Sequence, residues 1–366
     1  MPRFFLQIGG KMTFLQEINK ELGKVGIDAG KGYSPRYWVS SGNYVLNKIL
    51  SGSFKRFIPQ GRIVCLAGPS GAGKSFLTAN VIREALNDNI IVVAIDTENA
   101  LDDDFMRGVG VDVDNKNYMY VPANTFSECK KTVSTLIQGF VKEYEDDEKA
   151  PKMIIVIDSV DMLLSDAEEE QFKKGVVKGD MGQRNKQLKS MLRSFVQAIK
   201  KSNISMIVTH QVYRNQDIMN GKGVWVIAEA IEYSLSQIVL LTKLKLKDEK
   251  GKETTGIRMK CEGYKTRFTR PFQTVTIEVP YETGMDPYNG LLDVAIELGV
   301  VKQNGAWLSY GGNKFYRKDF DKKLQDAVLE ECENKKSQFL EANEEEEDLT
   351  PQQSAKKKRF EQTEKK

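Results

Sequence analysis

Gly68-Pro69-Ser70-Gly71-Ala72-Gly73-Lys74-Ser75 is the stretch that decides the fold. It satisfies GxxxxGK[ST] at every fixed position and has the flanks that pattern requires. Residues 63–67 form an apolar run of strand length before it, and 76–86 carry a helical pattern after it. Glycines let the backbone curl so that successive N–H groups converge on phosphate oxygens at the positive end of a helix. Lys74 is then placed to reach the outer phosphates, and Ser75 offers a hydroxyl to magnesium. All eight residues, Gly68, Pro69, Ser70, Gly71, Ala72, Gly73, Lys74 and Ser75, are candidate ATP contacts. A bare match also arises by chance in unrelated loops; the strand and helix around this one favour phosphate binding.

Working outward, apolar β-branched runs at 62–67, 90–95, 153–157 and 205–208 are separated by helical patterns near 75–87, 126–144 and 183–201. That alternation predicts an α/β fold with a central, mainly parallel sheet flanked by helices. Three more strand-like runs, 237–246, 256–261 and 274–279, follow without intervening helices and predict an antiparallel extension. Phe14, Leu15, Ile18 and Leu22 fall at helical spacing, so a short amphipathic helix is expected in a leading segment, 1–32. That helix either packs on its own core or docks on a neighbouring subunit. The core is expected over 33–325. Beyond it, 330–348 holds nine acids and two lysines, and 356–366 holds six basic and two acidic residues. Such segments bury too little apolar surface to fold, which predicts a disordered C-terminal tail over 326–366.

The net charge of this 366-residue chain is only +3, so polyanion binding must come from local patches or helix ends. The four cysteines, Cys65, Cys129, Cys261 and Cys332, lie far apart without CxxC spacing, and His210 is the single histidine. This argues against a zinc site and against a disulfide framework, and favours a reducing compartment. No apolar run reaches membrane-spanning length, and MPRFFLQIGG is too short and glycine-broken for a secretory signal. A cytoplasmic protein is expected.

Lys152-Met153-Ile154-Ile155-Val156-Ile157-Asp158 is an apolar strand ending in an acid. Alone it is an ordinary buried strand; downstream of a phosphate loop, Asp158 becomes the candidate to hold magnesium through water. Ser159 follows, where many ATPases place a glutamate, so the carboxylate that orients water must come from elsewhere. Glu98, in Ile95-Asp96-Thr97-Glu98, is the candidate; the alternative is a solvated loop acid beside Asp96. After the fourth strand come His210 and Gln211. Gln211 is the candidate sensor of the γ-phosphate, with His210 as its neighbour.

Taken together, these residues resemble the RecA family. The resemblance starts at VSSGNYVLN (39–47) and runs through IDTENALD (95–102), Asp158-Ser159 and His210-Gln211. It closes with GMDPYNGLLDVAIELG (284–299) and NGAWLSY (304–310). The stretch 285–299 is especially similar to UvsX-type phage recombinases. The resemblance implies a helical filament on single-stranded DNA with ATP and Mg2+ between subunits. It places Phe105 against adenine with Asp102 beside it. It also gives Lys265 and Arg267 the role of paired basic residues that reach the neighbour's γ-phosphate, so that hydrolysis depends on assembly. Without the resemblance, Lys265 and Arg267 read as solvated strand charges.

Two glycine-punctuated connections are implied to touch DNA. The first, 168–182, carries Lys173, Lys174 and Lys178 and leads into Arg184 and Lys186. The second, 212–228, carries Arg214 and Lys222 beside Ile218, Met219 and Trp225. Basic groups would neutralise phosphates while an apolar side chain wedges between bases. The bland alternative is a pair of solvated surface loops. The second connection departs from the family in lacking paired glycines at its close, where Trp225-Val226-Ile227-Ala228 stands instead.

The function this implies is ATP-dependent strand exchange between single-stranded DNA and homologous duplex DNA. It would serve repair and recombination-dependent replication, with a single-strand-binding protein and a loader as further partners and no membrane. A hexameric helicase-type motor and a non-catalytic DNA-binding paralogue remain as alternatives at this point.

Overall fold

The computed structural model describes residues 14–24, 34–144, 149–176, 182–200, 202–215, 224–248 and 251–347. The chain divides into two units, Met1–Arg36 and Tyr37–Lys366. The first carries α1 (Phe14–Lys24), the helix that the apolar spacing predicts. None of its residues is buried, and Phe14 and Leu15 lie exposed on its apolar stripe.

The second unit opens with an antiparallel ribbon of β1 (Trp38–Val39) and β2 (Ile58–Pro59), with α2 (Tyr44–Ser51) between them in sequence. Asn43 caps α2 by accepting the Leu46 N–H at 2.9 Å. Its amide also donates to the carbonyls of Asp286 and Asn289, at 3.2 and 3.1 Å. The two segments 39–47 and 284–299 are therefore one structural joint, although Asn43 and its partners are 243 and 246 positions apart in sequence.

Next come β3 (Ile63–Gly68), α3 (Lys74–Asn87), β4 (Ile91–Asp96), α4 (Asp103–Gly108), β5 (Tyr118–Pro122) and α5 (Phe126–Tyr144). They are followed by β6 (Met153–Asp158), α6 (Asp166–Lys174), α7 (Gln183–Ile199) and β7 (Ile204–Gln211). A short antiparallel ribbon, β8 (Tyr213–Asn215) with β9 (Val224–Val226), precedes α8 (Glu229–Ser234). Then β10 (Gln237–Lys247), β11 (Thr254–Lys265) and β12 (Thr274–Pro280) complete an eight-stranded sheet of order β12-β11-β10-β3-β7-β6-β4-β5. From β10 to β5 every pairing is parallel, whereas β10–β11 and β11–β12 are antiparallel. This is the expected mainly parallel sheet with its antiparallel extension. β5 was not legible as a strand because it sits at the sheet edge, where its residues are half-buried or exposed.

Strict alternation along the strands divides the core into two layers. Val64, Leu66, Val92, Ala94, Ile154 and Val156 face α2, α3 and α9 (Leu291–Glu297). Ile63, Cys65, Val93, Ile95, Ile155 and Ile157 face α5 and α7. All four cysteines are buried and free. Among the described residues no helix is long and apolar enough to cross a membrane, and no cluster has metal-ligating composition.

After α9 the chain forms a three-stranded antiparallel sheet of β13 (Lys302–Asn304), β14 (Trp307–Tyr310) and β15 (Asn313–Phe315). It then enters α10 (Lys322–Glu347). The packed region therefore continues past 325, where the charge pattern places its end. Val328, Leu329 and Cys332 are buried in the first core layer, and Glu333 accepts hydrogen bonds from Ser53 and the Phe54 N–H. The acids that dominate this stretch hide the apolar trio at helical spacing. Truncating a side chain such as Leu329 to alanine would cost about 2–5 kcal/mol. Residues 348–366 lie outside the described residues.

Candidate nucleotide site and DNA interface

The phosphate loop leaves β3 at Gly68 and enters α3 at Lys74, at the carboxyl edge of the parallel strands. Two glycines there answer to geometry. Gly73, the N-cap of α3, has φ 95°, in the left-handed region that side chains rarely adopt. At Gly68 a Cβ would lie 2.7 Å from the Leu241 carbonyl oxygen, so the loop rests directly on β10. The Lys74 ammonium folds back onto the carbonyls of Gly68 and Pro69, at 2.9 and 3.1 Å. Burial pushes its pKa down, while Asp158, Asp161 and Glu98 act in the opposite direction.

β3, β7, β6 and β4 lie side by side, which brings Asp158 and Glu98 to the same edge as the loop. Asp158 is buried, and burial raises its pKa; the Thr209 hydrogen bond and the nearby Ser75 hydroxyl hold it down, and Glu98 and Asp96 push it up. Its Oδ1 accepts the Thr209 hydroxyl, and its Oδ2 is buried without a partner. An orphaned carboxylate oxygen beside a serine hydroxyl fits a hydrated divalent cation, the group that would repay its desolvation.

Glu98 is exposed, but the strand end that carries it is held on both sides. Asp96, buried, accepts the N–H groups of Glu98, Ala100 and Leu101 at 3.0, 3.3 and 3.0 Å, and the Tyr120 hydroxyl at 3.3 Å. Thr97 bonds Ser159 in both directions, at 2.8 and 2.9 Å, and the Ser159 hydroxyl donates to the Glu98 carboxylate. Asp96 and Thr97 were not singled out from sequence. Their position directly before Glu98 was the available signal.

Phe105 lies on α4, whose N-cap is Asp102; the Asp102 carboxylate accepts the Phe105 N–H at 3.0 Å. Phe105 lines a cavity of about 420 Å³ together with Phe76, Asn80, Arg83 and Tyr281. Because Phe76 is two residues beyond Lys74, this slot adjoins the phosphate loop.

Lys265 and Arg267 are not brought to this edge. Lys265 pairs with Ile238, which pairs with Cys65, three residues before Gly68. That is about 10 Å down the strands and about 10 Å across them from the loop. The Lys265 ammonium donates to the Glu232 carbonyl, and its pKa is lowered by burial and by neighbouring Arg267.

Of the DNA candidates, Lys178, Ile218, Met219 and Lys222 fall outside the described residues. Arg214 lies on β8, in register with Trp225 on β9. The stretch without paired glycines is thus a paired strand leading to buried Ile227, and strand pairing explains its apolar character. The first connection starts later than the sequence indicates. A capping box at Ser165 and Glu168 launches α6, on which Lys173 and Lys174 pair with Glu169 and Glu170. Arg184 lines a cavity of about 760 Å³ with Met162, Gln211, Tyr213 and Ala228. Lys186 lines a separate, larger groove of about 860 Å³ with Lys189, Arg193 and Tyr233. Lys189 and Arg193 were not singled out from sequence, although their spacing from Lys186 puts all three on one face of α7.

Comparison with known proteins gives a family model, the RecA N-terminal domain, that matches residues 11–286. Protein RecA of Chloroherpeton thalassium is 30% identical over 259 residues, covering 70% of this chain and 68% of its own length. Protein RecA of Clostridioides difficile is 28% identical over 351 residues, covering 91% and 94%. Protein RecA of Leptospira meyeri is 27% identical over 312 residues, covering 82% and 75%.

Proposed function

The chain belongs to the RecA family, and on that premise we propose that it is a DNA-dependent ATPase that drives strand exchange as a filament on single-stranded DNA. The observation that carries this reading is a division within one chain. Lys74, Ser75, Asp158 and Glu98 converge at one edge of the sheet, while Lys265 and Arg267 lie two strands away and lower down. A site of this kind is completed by the basic pair of the next protomer, which makes turnover a property of the assembly.

Gly68 to Ser75 cradle the phosphates of ATP, and Phe105 and Asp102 take the base. Ser75 and Asp158 would hold Mg2+, which would draw charge from the phosphate oxygens. Lys74 exchanges the carbonyls of Gly68 and Pro69 for phosphate oxygens. Glu98 orients the attacking water, and Gln211 senses the γ-phosphate. Lys178, Arg184, Lys186, Arg214 and Lys222 neutralise the DNA backbone, with Ile218 and Met219 wedged at the bases. The exposed stripe of α1, within the assembly segment 1–32, docks on a neighbouring copy. The core follows from 33. Homologous duplex is the second substrate, and the setting is repair and recombination-dependent replication in a host cytoplasm. A UvsX-type phage protein working with a single-strand-binding protein and a loader fits the likeness of 285–299.

The test is phosphate release with and without single-stranded DNA, paired with electron microscopy. Strong stimulation together with filaments is expected. A DNA-free rate equal to the stimulated one, or rings that unwind duplex, would overturn the reading.

A further inference from the structure

β10 runs beside β3 only as far as Leu240, which pairs with Ala67. At Gly68 the chain of β3 turns away into the phosphate loop, whereas β10 continues to Lys247, flanked there by β11. The loop therefore lies against a ledge made by the projecting part of these two strands, and three of its glycines touch that ledge. A Cβ at Gly68 would meet the Leu241 carbonyl oxygen at 2.7 Å, and one at Gly73 would meet the Met259 sulfur at 2.9 Å. Between them, a Cβ at Gly71 would stand 2.4 Å from Nζ of Lys243.

Lys243 and Met259 are direct cross-strand partners, and Leu241 is two residues before Lys243, so all three side chains share one face of the ledge. The other lysines of the region have partners. The Lys74 ammonium donates to the carbonyls of Gly68 and Pro69, and Lys173 and Lys174 pair with glutamates. Lys243 is exposed and, among the described residues, has no hydrogen-bond or ion-pair partner. Its charge rests against an α-carbon, on the flank of a loop whose amides are arranged for anions.

We propose that Lys243 is a second phosphate-binding cation of the loop, closing on the polyphosphate of ATP from the β10 side while Lys74 reaches it from the helix side. This rests on the reading of the loop as an ATP site and adds a residue that no motif marks. A phosphate held by the loop lies about 3 Å from the amide nitrogens that bind it. The flexible four-carbon stem of Lys243 spans the remaining distance. The attracted group is the phosphate chain and not the base, so Mg2+–ATP and inorganic triphosphate share the effect.

Calorimetric titration of the full-length protein without DNA, using each of these two ligands, tests the proposal. Lys243→Met removes the charge at nearly constant length and is expected to raise Kd for both by about tenfold, the loss of one charge-assisted contact. Lys243→Arg keeps the charge and should stay within about threefold of wild type. Lys245 projects from the same face about 7 Å farther along the strand, so Lys245→Met should bind like wild type. Without nucleotide, Lys243→Met should keep the wild-type Tm, while the rise in Tm caused by Mg2+–ATP shrinks. Equal affinity of Lys243→Met and wild type overturns the proposal. So does a lowered Tm without nucleotide, which marks a packing role, and so does equal weakening in Lys245→Met, which marks a general field of charge. A wild type that binds no Mg2+–ATP instead overturns the reading of the loop, and this proposal with it.

Discussion

The buried carboxylate of Asp96 accepts the backbone N–H of Glu98 at 3.0 Å, so an acid inside the protein fixes the acid that faces solvent. The same carboxylate takes two further N–H groups and the Tyr120 hydroxyl, leaving the strand end of β4 one conformation. Glu98→Gln is therefore expected to cut turnover by about 10²–10⁴-fold while sparing nucleotide binding. Asp96→Asn should lower both turnover and thermal stability, because the amide presents a donor where donors already converge. Steady-state kinetics with thermal unfolding on the two variants checks this contrast.

Asp158 links function to stability with a defined sign. Burial raises its pKa, with Thr209 and Ser75 opposing and Glu98 and Asp96 adding to the rise. The folded chain thus binds this proton more readily than the unfolded one. The charged carboxylate weakens folding at neutral pH, and the penalty disappears as pH falls through the raised pKa. Asp158→Asn should abolish turnover and raise Tm by ~2 °C or more for each ~1 kcal/mol relieved. The difference in Tm from wild type should shrink as the pH is lowered into the carboxylate range.

The separation of Lys265 and Arg267 from Lys74 in one chain predicts complementation between inactive proteins. Lys74→Ala loses the phosphate contact and Arg267→Ala loses the residue given to the neighbour. Neither alone should turn over ATP at a useful rate. In an equimolar mixture assembling head to tail at random, about a quarter of junctions combine an intact loop with an intact arginine. Phosphate release near that fraction of wild type is expected; a mixture as inactive as its components would assign both residues to one subunit's site.

Lys186, Lys189 and Arg193 share a face of α7 beside Tyr233, whose ring lies 5.9 Å from the Lys189 ammonium. Replacing Arg193 with alanine should weaken single-stranded DNA binding uniformly across sequences. The slope of log K against log salt should fall by about 1 if the side chain neutralises one phosphate. Equilibrium binding at several salt concentrations reads this directly. By contrast, Lys173→Ala should leave the slope unchanged, since Glu169 already pairs with that ammonium on α6.

Where the sequence was legible, the cause was local. Parallel strands buried on both faces read as unbroken apolar runs, and β3, β4, β6 and β7 lie within about three residues of the positions those runs predict. Strands at an edge lack that signature, so β5 was missed. Glu98 could be nominated because Ser159 stands where a glutamate was wanted, but nothing local showed that Asp96 holds it. The acids of α10 likewise masked Val328, Leu329 and Cys332, whose burial depends on a surface formed near residues 53 and 54.

The order of amino acids by itself determined the phosphate loop, the strand and helix alternation and the identity of the acids at the strand ends. Each of these depends on backbone geometry and periodicity within a few residues. Only the tertiary structure decided which acids meet, that Lys265 lies away from its own loop, and that Lys243 lies against Gly71. Those relations follow from strand order and register, which bring together residues far apart in sequence and are set by the packing of the whole sheet.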